Sequence, residues 1–151
     1  MSTKRPKSKP KVRRLCLPTT PEAMRTLRHD LRTPINPLLG YCELIVEEAG
    51  AAAPAEFLAG VRNLHALGVQ MLKLTNEVFS DQPSALHELD CAKLQEEFCA
   101  PAKEAVVLSQ QLEQQARAAS LPVAAQDLQR INIATDRWWR RIEQMLAENC
   151  Q

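Results

Sequence analysis

The sequence predicts an all-α protein in which two antiparallel helical hairpins close a four-helix bundle. Aromatic residues make up only 4% of the 151 residues, and there are only four glycines, whereas β-sheets favour aromatic and β-branched side chains. Apolar residues recur at spacings of three and four, which places them on one face of a helix. A chain of this length can bury one hydrophobic core, or two small helical units that share one.

The first predicted helix covers residues 20–48. Thr20 stands before Pro21 and Glu22, and this order of capping hydroxyl, first-turn proline and early acid is typical of a helix start. Gly50 is the expected C-cap. At about 100° per residue, a set of apolar or small residues falls on one side of this helix. The set is Leu27, Leu31, Pro34, Ile35, Leu38, Cys42 and Ile45.

The second predicted helix covers residues 55–79 and returns antiparallel to the first. Its apolar stripe has the spacing that a helix uses to cover a neighbour. The stripe comprises Val61, Leu64, Gly68, Met71, Leu72, Thr75 and Val78. A linker at 83–90 leads to two further helices, predicted at 91–119 and 123–149. Residues 20–82 and 91–151 therefore form the two hairpins.

The two hairpins are related at a fixed offset of 67 residues. Pro34 matches Pro101 and Leu31 matches Phe98 without a gap. The second helices of the two hairpins also match, with an apolar residue at each of five equivalent positions. The matched residues are Val61, Leu64, Met71, Leu72 and Val78 in the first hairpin and Leu128, Ile131, Trp138, Trp139 and Met145 in the second. Unrelated hairpins could share such a register by chance. A proline inside a helix costs about 3 kcal/mol, however, so finding it at equivalent positions favours a duplicated hairpin.

Residues 1–19 are predicted to be a disordered basic tail. The first 15 residues hold seven of the 19 lysines and arginines and no acid, and so few apolar residues cannot form a core. The tail could contact an anionic partner. It has no aromatic residue to stack on bases, so nucleic-acid binding is not expected. A solubilising leader is the simpler interpretation.

The cysteines and the hydropathy pattern bear on location. Five cysteines form an odd set without Cys-x-x-Cys spacing, and the chain shows no apolar core of a signal peptide. No run approaches the roughly 20 apolar residues of a membrane span. We therefore expect a cytoplasmic protein. His87, Cys91 and Cys99 do not have the spacing of a zinc framework, so neither a metal nor a cofactor is expected.

His29 lies nearly opposite the apolar stripe of the first helix, and Thr33 shares its outward face. The adjacent Asp30 could accept a hydrogen bond from the imidazole Nδ1–H, which would leave Nε2 free as a nucleophile. Thr33 offers a hydroxyl that could place a water molecule. The alternative is an ordinary surface histidine without chemistry.

The string His-Asp-Leu-Arg-Thr-Pro-Ile-Asn over residues 29–36 resembles the H-box of sensor histidine kinases. The second helix, with LHALGVQMLKLTNEVF, is similar to the returning helix of their dimerisation and histidine-phosphotransfer domain. The resemblance covers about residues 20–80. It implies a helical hairpin in a two-component phosphorelay, whose partners are a response-regulator receiver domain, a partner histidine kinase, or both.

The resemblance also implies residue roles. His29 would be the phosphoacceptor, Asp30 its acid–base partner, and Thr33 the residue that positions water when a phosphorylated receiver is hydrolysed. Pro34 would kink the helix, and Arg32, Pro34 and Asn36 would complete the H-box as structural residues. Pro37 departs from the usual pattern and adds a second bend.

The ATP-binding domain that such kinases also use has no counterpart in the sequence, which has only four scattered glycines. Autophosphorylation is therefore not expected, and enzymatic activity in isolation stays open. At the offset of 67, His29, Arg32 and Thr33 correspond to Glu96, Cys99 and Ala100, so the second hairpin looks like a degenerate copy. It would close an intramolecular pseudo-dimer, with homodimerisation as the alternative.

Two other functions remain open from the sequence. One is a non-catalytic adaptor or inhibitor that binds a receiver domain or a kinase, which the degenerate second hairpin favours. The other is a fragment of a longer histidine kinase or cyclase-type signalling protein. Substituting His29 distinguishes phosphotransfer from an adaptor, because an adaptor would keep its affinity without the imidazole.

Overall fold

The computed structural model describes residues 13–18, 20–80 and 90–150, which contain five α-helices. They are α1 (Pro21–Arg32), α2 (Ile35–Ala49), α3 (Ala55–Val78), α4 (Cys91–Ala118) and α5 (Pro122–Asn149). Extended pairing within these ranges is limited to two isolated bridges. The all-α prediction is confirmed, and the bounds of α3, α4 and α5 lie within one residue of those predicted. Most of the predicted tail and linker lies outside the described residues.

The first predicted helix is divided, which corrects the continuous helix expected over residues 20–48. Its start is as predicted, since Pro21 opens α1 and the Thr20 hydroxyl accepts from the Ala23 N–H at 3.2 Å. The predicted helix does not continue through its middle, because α1 ends at Arg32 and α2 begins after Pro34.

Two missing backbone donors explain the break. Pro34 has no N–H to donate to the carbonyl of Asp30, and Pro37 has none for Thr33, so two successive turns each lose a helical hydrogen bond. In the second hairpin Pro101 lies inside the uninterrupted α4, and the position that matches Pro37 is Glu104. One proline is tolerated there, whereas two prolines three residues apart end α1.

The long helices pack in a ring. Helix α2 contacts α3 and α5, and α4 contacts the same two helices, while α1 contacts α2, α3 and α5. The described helices include none long and apolar enough to cross a membrane.

The buried side chains of the two hairpins keep the 67-residue register. Four residues of α2 are buried: Ile35, Leu38, Cys42 and Ile45. The residues at the matching positions of α4 are buried too: Ala102, Ala105, Ser109 and Leu112. In α3 and α5, Val61, Leu64, Met71 and Val78 and their partners Leu128, Ile131, Trp138 and Met145 are also all buried. The matched faces therefore both point into one core.

Aromatic rings fill one end of this core. Phe98 stacks on Phe79 with ring centroids 6.2 Å apart, and it lies 5.6 Å from Trp138. The indole N–H of Trp138 donates to the Thr75 hydroxyl at 3.4 Å. Trp138 is fully buried, whereas Trp139 is half-buried against the core. Adjacent residues of a helix face about 100° apart, which is why only one of the two tryptophans lies fully in the core.

A disulfide joins the start of α4 to the end of α5, which was not foreseen from the odd number of cysteines. It links Cys91 to Cys150 across Cα atoms 6.3 Å apart. Residues 13–16 lie beside it, because the Cys91 N–H donates to the Arg13 carbonyl at 2.9 Å and the Cys16 N–H donates to the Asn149 carbonyl at 2.8 Å. The N-terminal segment is thus hydrogen-bonded both to the start of α4 and to the end of α5.

Replacing Trp138 with alanine should lower the free energy of unfolding by about 3 to 5 kcal/mol, because it leaves a large cavity and removes the ring contact with Phe98. Trp139→Ala is the matched control and should cost clearly less, since that side chain is half-buried. Urea unfolding followed by far-UV circular dichroism measures both. Equal losses would contradict the burial described here.

Replacing both Cys91 and Cys150 with serine should lower the free energy of unfolding by about 2 to 4 kcal/mol, because the bond closes a loop of 59 residues. Adding a reductant to the wild type should have the same effect. Cys16→Ser is the control, since this exposed thiol is unpaired. An unfolding midpoint that does not respond to reductant would show that the bond does not form.

Candidate functional site

His29 projects from the last turn of α1 with its side chain 82% exposed. Thr33, one turn later, is also exposed, and its hydroxyl donates to the His29 carbonyl at 2.8 Å. The predicted outward face is therefore formed, with the imidazole and the hydroxyl next to each other on it. Both groups are open to a protein that docks on this end of the helices.

Asp30 does not make the hydrogen bond that the sequence suggested. Its Oδ1 lies 3.9 Å from His29 Nδ1, which is too long for a hydrogen bond. Its other oxygen, Oδ2, accepts from Arg141 Nη2 at 3.1 Å. In this structure Asp30 is thus paired with α5, and its acid–base role stays a prediction.

Two arginines attach α1 to the end of α3. Arg32 Nε donates to Asn76 Oδ1 at 2.6 Å, and Arg28 Nη1 donates to the Phe79 carbonyl at 3.2 Å. Both contacts are part-buried. The Arg32 guanidinium therefore links α1 to α3, and its role in an H-box stays a prediction.

The remaining H-box residues lie at the junction of α1 and α2. Pro34 is half-buried and precedes the first residue of α2, where the Ile35 side chain enters the core. Asn36 is exposed in the first turn of α2. Because the prolines separate the two helices, contacts with α3 and α5 fix the orientation of α1 and hence of His29.

The second hairpin presents no equivalent of this face. Glu96 and Ala100 are exposed at the positions that match His29 and Thr33, and α4 runs through without a break. It does contribute Arg141, which was missed as a site residue because it lies 111 residues from Asp30. Local spacing cannot reveal such a contact. Only the assembled register of α1 against α5 brings the two together.

The other reactive side chains do not form a second centre in the described ranges. Of the three candidate metal ligands, His87 lies outside the described residues and Cys91 is in the disulfide. Burial raises the pKa of the Cys42 thiol to about 12, and the neighbouring Glu43 adds to this effect. Cys42 therefore stays protonated at neutral pH and is not a nucleophile.

Comparison with protein-family models, with curated proteins and with solved structures found no match. The resemblance to the histidine-phosphotransfer domain therefore rests on the residues of the H-box and of the returning helix.

Arg32→Ala should lower the free energy of unfolding by about 1 kcal/mol, because it removes a part-buried hydrogen bond between α1 and α3. Asn76→Ala should cost a similar amount. A double-mutant cycle measured in urea should give an interaction energy near that value, so that Arg32→Ala costs little once Asn76 is absent. Fully additive losses would show that the two side chains do not interact.

Proposed function

We propose that this chain is a histidine phosphotransfer protein of a two-component phosphorelay, and that His29 carries the phosphoryl group. The observation that carries the proposal is the H-box string, with His29 and Thr33 exposed side by side at the end of a short helix. A buried or fully hydrogen-bonded imidazole would not be open to a phosphodonor. The side chain of His29 is 82% exposed and therefore meets this requirement.

The chemistry follows from the nitrogen lone pair of a neutral imidazole. Nε2 attacks the phosphorus of an aspartyl phosphate on a receiver domain, a P–N bond forms, and the P–O bond to the receiver carboxylate breaks. The receiver keeps the released carboxylate, and the proton on Nδ1 passes to Asp30 or to water. Reversing these steps returns the phosphoryl group to a receiver aspartate. A partner histidine kinase is the other possible donor.

Thr33 would serve a different reaction at the same face. Its hydroxyl can orient a water molecule toward the phosphorus of a docked aspartyl phosphate, and attack by that water releases inorganic phosphate and the free carboxylate. This step needs no covalent phosphohistidine. Phosphatase action and phosphotransfer can therefore be separated by substitution.

The helix packing supports a pseudo-dimeric four-helix bundle as the scaffold. Helices α2 and α3 pair within the first hairpin, and α4 and α5 pair within the second. Between the hairpins α2 meets α5 and α3 meets α4. If α2 is exchanged with α4 and α3 with α5, the contact between α2 and α5 becomes the contact between α4 and α3. The two-fold axis of a homodimer relates its helix contacts in the same way. A cytoplasmic location belongs to this proposal, although disulfides such as Cys91–Cys150 are uncommon there.

An adaptor that binds a receiver without chemistry is the second candidate. The observation that favours it is the pairing of Asp30 with Arg141 instead of with His29. An adaptor would use the exposed face of α1 only as a docking surface.

His29→Ala should abolish phosphate uptake from a phosphorylated receiver domain, because no other histidine of residues 20–80 and 90–150 lies on this face. His65→Ala is the matched control: His65 is a half-exposed histidine on α3 that contacts Glu43 at 3.1 Å, and it should transfer normally. Mass spectrometry under neutral conditions locates acid-labile phosphate. Phosphate on the His29→Ala variant, or none on the wild type, would contradict phosphotransfer.

Thr33→Ala should leave phosphate uptake by His29 nearly unchanged and slow the hydrolysis of receiver phosphate by about tenfold or more. The assay follows inorganic phosphate released from a phosphorylated receiver. Equal hydrolysis by the variant and the wild type would remove Thr33 from the phosphatase step. Receiver binding by the wild type without transfer or hydrolysis would leave the adaptor.

A further inference from the structure

We infer that Arg141, which the second hairpin contributes, is a positioning residue that holds Asp30 away from His29 and so controls which imidazole nitrogen carries the proton. The effect of Arg141 on phosphotransfer rests on the proposed function. The contact between Arg141 and Asp30 is independent of that proposal. It assigns the second hairpin a role at the site beyond covering the core.

A chain of side-chain hydrogen bonds orients Arg141. Its Nη2 donates to Asp30 Oδ2 at 3.1 Å, and its Nη1 donates to Gln144 Oε1 at 3.2 Å. Gln144 in turn donates to Glu148 Oε1 at 2.9 Å. Two turns of α5 therefore fix the guanidinium toward α1, and the chain ends at the carboxylate next to His29.

Asp30 stands between two possible partners. Its Oδ1 is 3.9 Å from His29 Nδ1, whereas its Oδ2 is already bonded to Arg141. A small side-chain rotation toward the imidazole would exchange one partner for the other. When Asp30 accepts from Nδ1–H, the neutral ring has its lone pair on Nε2, the nitrogen that attacks phosphorus. When Asp30 stays with Arg141, nothing in this contact selects that tautomer.

The pair is suited to being exchanged because it is only half-buried. The side chains of Arg141 and Asp30 are 44% and 41% exposed. Ion pairs of this kind contribute little stability and weaken with salt. A docking partner with an acidic surface can therefore compete for Arg141 and release Asp30 to His29.

The arrangement is specific to the hairpin that retains the histidine. At the offset of 67, Arg141 corresponds to Leu74, and Asp30 corresponds to Glu97. The second hairpin thus has glutamates at the positions of both His29 and Asp30, and the helix that faces it carries leucine instead of arginine. The guanidinium is present only where there is an imidazole to control.

The decisive measurement is the tautomer ratio of His29, read from long-range ¹⁵N–¹H NMR spectra of the full chain without any partner. Arg141→Gln should raise the ratio of the Nδ1–H to the Nε2–H tautomer by about two- to fivefold, as expected for releasing one partly exposed ion pair. Arg141→Lys should respond less. Arg140→Gln is the matched control, because Arg140 pairs with Asp136 on its own helix at 2.9 Å, and it should leave the ratio unchanged.

Asp30→Asn provides the test of cause. In that background Arg141→Gln should no longer change the tautomer ratio, since the carboxylate that moves is absent. An unchanged ratio in Arg141→Gln, or an equal change with and without Asp30, would overturn the inference. A purely structural role of Arg141 would alter unfolding but would not require Asp30 for an effect on the tautomer.

Phosphate uptake from a phosphorylated receiver then separates this inference from the proposed function. The Arg141→Gln variant should take up phosphate several-fold faster than the wild type, and Arg140→Gln should not. A tautomer shift in a protein that never takes up phosphate would support the role of Arg141 and contradict phosphotransfer. Normal phosphotransfer with an unchanged tautomer ratio in Arg141→Gln would support phosphotransfer and contradict the role of Arg141.

Discussion

The two halves of the chain bury their apolar stripes in one shared core, in which α2 packs on α3 and α5 and α4 packs on the same two helices, and the rest of the structure depends on this burial. The buried side chains of α4 at Ala102, Ala105 and Ser109 are small. The large ring of Trp138 on α5 lies in the same core. A single hairpin would leave part of its stripe in water, at a cost of about 25 cal/mol for each Å² of apolar surface. Helix α1 packs on helices of both halves, through contacts with α2, α3 and α5.

Helix α1 has 12 residues and would be only marginally stable in isolation. Pro34 and Pro37 remove two helical hydrogen bonds at its junction with α2, although Thr33 and Pro34 keep right-handed helical dihedral angles. Side-chain contacts add to this link in fixing the position of α1. Arg28 and Arg32 attach it to α3, and Asp30 attaches it to Arg141 on α5. Met24 and Leu31 of α1 are also buried in the core, so the histidine sits on a short helix that is held by both apolar and polar contacts.

Much of this fold could be predicted from local signals. The Thr20-Pro21 start, the apolar stripes and the turn residues placed three helices within one residue of their observed ends. Most residue pairs matched by the 67-residue register are buried in both halves, whereas Leu72 and Trp139 are both half-buried. A kink at Pro34 and a second bend at Pro37 were expected from the H-box resemblance, but the apolar stripe continues through Pro34 and predicted a single helix. The loss of two backbone N–H donors explains why the helix is divided there.

The remaining features depend on contacts between distant parts of the chain. The Cys91–Cys150 bond spans 59 residues, and Arg141 reaches Asp30 across 111. No spacing in the sequence marks either pair, since each forms only when α5 has been placed against its neighbours. The H-box identified His29, Asp30 and Thr33 as candidates, but the partner that Asp30 selects is a property of the assembled helices.

We propose that one chain supplies both halves of a bundle around a single phosphorylatable histidine. Native mass spectrometry, after incubation with a phosphorylated receiver domain and removal of that receiver, measures assembly size and phosphate content together. The expected species is a single folded chain of 16.9 kDa that has gained one phosphoryl group. A species of twice that mass as the only folded form, or a folded chain that gains no phosphate, would contradict it.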